Sequence, residues 1–106
     1  MNITVYAASS GQVPEVYTKA AARLGEIMAE RGHTLINGAG RTGLMGATID
    51  ACLAKGGKAV GVIPQFMIDE SWQHKGMTDL IVTPNMHERK TLMAERADAC
   101  IACPGG

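Results

Sequence analysis

At 106 residues the chain is long enough for one domain and too short for two. Its ten Lys and Arg balance its ten Asp and Glu, so no basic excess points to nucleic acid. Apolar residues make up 46%, ordinary for a soluble globular protein, and no apolar run approaches the roughly eighteen residues of a membrane span.

The start, Met1 to Val5, lacks the basic region of a secretory signal. Residues 2–7 (NITVYA) read as a short buried strand and residues 9–12 (SSGQ) as a turn. Pro14 suits a first helical position. From there to Arg31, Val16, Ala20, Leu24, Ile27 and Met28 recur at helical steps, which predicts an amphipathic helix with Gly32 as its left-handed cap. Residues 33–36 (HTLI) are a second strand. The loop NGAGRTG then leads into a second helix, ended by Gly56 or Gly57.

Residues 58–63 (KAVGVI) are a third strand, closed by Pro64. Residues 65–78 are irregular, a short helix or a loop holding Trp72, His74 and Gly76. Residues 79–83 (DLIVT) form a fourth strand, 86–97 a helix and 98–103 (DACIAC) a fifth strand. Both faces of the fifth are apolar, which predicts a central parallel strand covered on two sides. Strand and helix alternate throughout, so the class is α/β, a doubly wound parallel sheet in a single domain. Such a sheet binds ligands beyond the C-terminal ends of its strands, and this chain places its glycines and polar turns there.

The segment NGAGRTGLMG sets Gly38, Gly40, Gly43 and Gly46 near a helix start, where unpaired amides accept phosphate. Thr42 is the expected helix cap, and Gly46 is expected to let the helix pack close to the sheet. No GK[ST] follows, and the spacing misses G-x-G-x-x-G, so neither a P-loop nor a dinucleotide site is indicated. The bland alternative is a tight turn with close packing. Met86, His87, Glu88, Arg89 and Lys90 open a helix after a strand end. Arg89 shares a face with Met93 and offers a rigid donor fork for phosphate or ribose; the alternative is a solvated charge cluster.

Cys100 and Cys103 form C-x-x-C, but in a strand, where residues three apart point to opposite faces. Core cysteines are expected, with neither a disulfide nor a metal site. Three cysteines in apolar contexts suit a reducing compartment, the cytoplasm by default. His74 and His87 read as surface or loop histidines and His33 as structural. The role of Trp72 stays open.

The glycine loop, the MHERK segment and the terminal ADACIACPGG together resemble the LOG family, the cytokinin riboside 5′-monophosphate phosphoribohydrolases, whose members also carry the label lysine decarboxylase. The resemblance runs over the whole chain. It implies a Rossmann-like fold, a homodimer, no cofactor and no membrane or nucleic-acid partner. It implies hydrolysis of the N-glycosidic bond of an AMP-like nucleoside 5′-monophosphate to free base and ribose 5-phosphate. Carried onto this chain, Gly38, Gly40, Arg41, Thr42 and Gly43 hold the phosphate. Arg89 matches the essential arginine, with Met86 and Lys90 beside it. Ser9 and Ser10 match the polar turn after the first strand. Gly105 and Gly106 match the start of PGGxGTxxE. Nothing in it supports decarboxylation.

Two departures stand out. Ala39 occupies a position where the family usually has glycine, and the sequence stops at Gly106, before the GTxxE glutamate that is catalytic in the family. The chain therefore reads as an N-terminal portion, truncated after the fifth strand. Two other readings are a non-catalytic phosphate-ligand binder similar to molybdenum cofactor carrier proteins, and an inert α/β fragment. Glycosidic cleavage builds positive charge on the ribose, which a carboxylate stabilises and an arginine does not. The 106-residue chain is expected to be a poor hydrolase. Adenine release from AMP measures this, and turnover matching an intact relative would overturn it.

Overall fold

Strands and helices alternate along residues 1–103, the span that the computed structural model describes. In chain order they are β1 (Asn2–Tyr6), α1 (Glu15–Glu30), β2 (Thr34–Asn37), α2 (Gly43–Ala54), β3 (Lys58–Pro64), α3 (Gln65–Asp69), β4 (Asp79–Thr83), α4 (Met86–Glu95) and β5 (Ala99–Ala102). Each falls within a residue or two of the expected range. The irregular segment resolves into the five-residue α3 and a return loop.

The sheet is parallel, in the order β4-β3-β2-β1-β5. Ile3 pairs with Leu35 on one side and Ala99 on the other. The chain walks outward from β1 to β4, then returns through α4 to set β5 on the far side of β1. That reversal beside β1 is a topological switch point, where α/β sheets open a crevice.

Alternation along the strands feeds two cores. Ile3, Val5, Leu35 and Ala59 face α1 and α2, packing with Met28, Leu44, Ile49 and Cys52. Ile36 and Val62 face the other side and pack with Met93 of α4. Full burial of a side chain such as Leu35 or Ile49 contributes about 1.5–3 kcal/mol. Thr4 is tolerated inside because its hydroxyl donates to the Met93 carbonyl at 2.7 Å. With helices on both faces the architecture is the doubly wound, Rossmann-like one expected.

The helix ends are local chemistry. Gly32 has φ 72°, the His33 amide reaches back to Met28 O and the Gly32 amide to Ala29 O. Gly56, at φ 75°, closes α2 in the same way. Both are six-residue Schellman closures.

Two expectations are corrected and one is refined. The buried stripe of α1 is Ala21, Gly25 and Met28, while Val16 and Ala20 are exposed. A Cβ on Gly25 would overlap the Thr48 carbonyl, so small residues set the close approach to α2, while Met28 and, in part, Leu24 pack on the core as expected. The fifth strand, read as a central strand of the family's whole sheet, is an edge strand among the described residues, the exposed edge expected of a chain without the family's second half. Ile101 packs on the first core, but Cys100 and Ala102 are exposed, because α4 lies over β3 and β4 and does not reach them. Gly46 does not bring α2 to the sheet; it admits the carbonyl of Arg41 from the preceding loop.

Helix propensity alone predicts that Gly25→Ala stabilises the chain by up to about 1 kcal/mol. The backbone overlap reverses the sign, giving a net loss of about 1–3 kcal/mol. Thermal unfolding should show a Tm lower by roughly 4–8 °C for each kcal/mol lost. A raised Tm would mean that the two helices do not touch at this glycine.

Candidate functional site

Arg89 is the centre of the site. Asn85 caps α4, its Oδ1 accepting the Glu88 amide at 2.9 Å. The cap fixes the phase of the helix, so that Arg89 and Met93 both turn inward. The guanidinium crosses the C-terminal ends of two strands. Nε donates to Val62 O at 2.8 Å, and Nη2 to Gly38 O at 2.6 Å. Among the described residues Nη1 meets only the thioethers of Met86, at 3.5 Å, and Met67, at 3.7 Å, which are weak acceptors.

Among the described residues, no carboxylate pairs with Arg89. Burial lowers its pKa below the ordinary guanidinium value, and the group still keeps its charge at neutral pH. A buried cation without a counter-charge is costly and calls for an anion. The solvated-cluster alternative for this arginine is thereby excluded. Gly38 is glycine for the same reason: a Cβ there would overlap Nη2 and stand 2.7 Å from Cζ.

The glycine loop is more internally tied than its letters suggest. The Ala39 amide donates to Asn37 Oδ1 at 2.9 Å, the Gly40 amide to Met45 Sδ at 2.9 Å, and the Arg41 amide to Trp72 O at 3.4 Å. Ala39 adopts φ 63°, and its methyl is buried against β3, so the departure from glycine does not touch the crevice. The amides of Thr42, Gly43 and Leu44 take no acceptor among the described residues. Thr42 holds the cap position of α2 without capping it; its hydroxyl donates to Ser9 O instead. The first amides of α2 thus have no acceptor among the described residues, and of the three residues Thr42 alone is among those that line the crevices, Leu44 being buried.

Two crevices flank Arg89. One, of about 360 Å³, is lined by Ser9, Gly38, Gly40, Arg41, Thr42 and Arg89, with Met45, Ile63, Met67 and Trp72. The other, of about 440 Å³, brings in Tyr6, Met86, Lys90 and Met93. Gly38, Met45 and Arg89 are common to both, and among the described residues no carboxylate lines either. Ser10 and Gly43 line neither. The Ser10 hydroxyl accepts the Gln12 amide, and Gly43, at φ 64°, lets α2 approach the backbone of Ser9 and Ser10. Gly105 and Gly106 lie outside the described residues.

Met45, Met67 and Trp72 were not expected in the site. Only the aperiodic 65–78 segment held a clue to the last. Burial raises the thiol pKa of Cys52 and Cys103, which keeps both protonated. Cys100 is exposed on the sheet edge, which corrects the core reading for that cysteine. His74 is a tethered loop residue: Nδ1 accepts the Gly76 amide at 2.9 Å, so Nε2 donates to Asp50 at 2.6 Å. Among the described residues no three metal-ligating side chains converge.

The Gly38–Arg89 contact predicts non-additive stabilities. Gly38→Ala should lose about 1–3 kcal/mol by overpacking. Gly38→Ala combined with Arg89→Ala should lose less than the sum of the single changes, with a coupling of about 0.5–3 kcal/mol by denaturant unfolding. Additive losses would mean that the guanidinium does not lie on this glycine.

A protein-family model described as possible lysine decarboxylase matches residues 45–106. Cytokinin riboside 5′-monophosphate phosphoribohydrolase of Mycobacterium marinum is 40% identical over 104 residues, covering 98% of this chain and 55% of that protein. Its counterpart in Rhodococcoides fascians is 41% identical over 106 residues, covering 99% and 54%. The chain spans about half the length of the curated relatives it matches. Among solved structures, the molybdenum cofactor carrier protein of Chlamydomonas reinhardtii superposes with a TM-score of 0.84 at 24% identity, covering 99% of this chain and 63% of that one. The molybdenum cofactor binding protein of Rippkaea orientalis gives 0.83 at 22%, covering 96% and 61%. These two show the fold, and the sequence relatives show the family: this chain belongs to the cytokinin riboside 5′-monophosphate phosphoribohydrolase, or LOG, family.

Proposed function

We propose that this chain supplies the nucleotide-binding part of a nucleoside 5′-monophosphate phosphoribohydrolase, an enzyme that releases free base and ribose 5-phosphate. The observation that carries the reading is the buried Arg89 guanidinium, which has no carboxylate partner among the described residues and opens on a crevice at the start of α2. In this reading the 5′-phosphate sits at the start of α2 beside Thr42, which lines the crevice. The α2 dipole favours its charge there. Arg89 supplies Nη1 donors that have no strong acceptor among the described residues, and Arg41 adds a second guanidinium from the rim. Ser9 completes the polar wall. Lys90 and Met86 border the adjoining crevice, and the ribose and base extend from the seat.

Cleavage needs a negative group near the anomeric carbon. Neither crevice offers one among the described residues, so in this reading the family's GTxxE glutamate provides it. The same observation favours a second reading, a binder of phosphorylated ligands without hydrolysis. Adenine release distinguishes the two. We further read the protein as a cytoplasmic homodimer, on family resemblance and its unpaired thiols. Among the described residues no helix is long and apolar enough to cross a membrane.

Calorimetric titration of the 106-residue chain should show binding of AMP and ribose 5-phosphate. Arg89→Ala should weaken both at least tenfold, the scale of a charge-assisted hydrogen bond of about 1.5–3 kcal/mol. Arg89→Lys should restore little, because an ammonium lacks the planar fork. Unchanged affinity in Arg89→Ala would remove the proposal.

A further inference from the structure

Trp72 is the one tryptophan of the chain, and it is 50% exposed although the cores lie close by. It lines the same crevice as Thr42, Arg41 and Arg89. Its backbone is held from both sides. The Trp72 amide donates to Met67 O at 3.1 Å, and its carbonyl accepts the Arg41 amide. Gly40 and Gln73 form an antiparallel bridge, and the His74 amide donates to Ala39 O at 2.7 Å. The Arg41 guanidinium reaches Ser71 O, and the His74 ring is anchored on Asp50. Residues 71–74 are therefore strapped to three consecutive loop residues, 39, 40 and 41. Ser71 accepts φ 60°, unusual for a side-chain-bearing residue, in the turn that brings the strap back.

A large aromatic held half-bare at the rim of an anion crevice is not explained by core packing. Its immobile backbone means that little ordering entropy is lost when a flat group settles on it. We propose that Trp72 is the stacking platform for the aromatic base of the bound nucleotide, and so the residue that separates nucleotides from simple sugar phosphates. The inference rests on the nucleotide-binding reading above, and it adds a specificity-determining side chain to it. The ligand class is a nucleoside monophosphate whose phosphate enters the α2 seat while its base lies on the indole.

Because the chain has one tryptophan, its fluorescence reports this position alone. AMP should change the emission on binding, and ribose 5-phosphate should bind with no comparable change. Trp72→Ala and Trp72→Leu should weaken AMP about tenfold, the order that stacking on an aromatic side chain supplies. Both should leave ribose 5-phosphate affinity unaltered. Trp72→Phe should retain most of the AMP affinity, and Trp72→Leu keeps the apolar bulk should the alanine variant fail to fold. Equal losses for AMP and ribose 5-phosphate, or no loss for AMP, would overturn the platform while leaving the phosphate seat intact. Failure of both ligands to bind the unsubstituted chain would overturn the platform and the nucleotide reading together.

Discussion

The guanidinium of Arg89 ties the ends of two neighbouring strands together. Its Nε takes a carbonyl of β3 and its Nη2 a carbonyl just past β2, so one side chain from α4 fixes three elements at the crevice floor. A charge in that position loses much of its hydration, a penalty of several kcal/mol after relaxation. Two carbonyls return only part of it. The remaining donors face sulfur, the weakest acceptor available. Among the described residues the protein thus carries an electrostatic imbalance at one place, and the proposed function rests on an anion correcting it. The depressed pKa of the group comes from the same desolvation.

The glycines nearby are best understood through what touches them. Gly38 leaves room for the guanidinium, Gly43 for the turn after β1, Gly46 for the Arg41 carbonyl, and Gly25 for the seam between α1 and α2. Each is a contact with backbone or with a fixed charged group, where even one methyl forces a shift. Together they draw the start of α2 against β1 and hold the loop from moving. Preorganisation of this kind matters for binding, since donors already in place need no ordering when the ligand arrives.

Much of this was legible in the sequence wherever the cause is local. Apolar strands of four to seven residues separated by helical spacing gave away the α/β alternation, and Gly32 and Gly56 end their helices by a rule that needs only their own neighbours. What was not legible depends on residues far apart. The seam of α1 follows Gly25 meeting Thr48, so the apolar spacing found Met28 and Leu24 but missed Ala21 and Gly25 and took in the exposed Val16 and Ala20. Gly38 looked like part of a phosphate loop, yet its lack of a side chain answers to Arg89, fifty-one positions on. Trp72 sits in a stretch with no periodicity, and only the strap onto residues 39–41 gives it a direction.

The same geometry separates holding a nucleotide from cutting it. The strand ends of β1 to β4 bring together helix amides, two guanidiniums and apolar walls, all suited to a phosphate and a flat base, and none suited to a growing positive charge on the sugar. An arginine aimed at the reacting carbon would oppose an oxocarbenium ion, so Arg89 can serve such a reaction only by fixing the phosphate end and letting the anomeric carbon project toward an acidic group. Positioning of that kind is worth as much as chemistry when the reacting atoms must meet at near-contact distance. On the proposed reading this part of the site would hold a nucleotide without cutting it quickly, so binding strength alone says nothing about turnover.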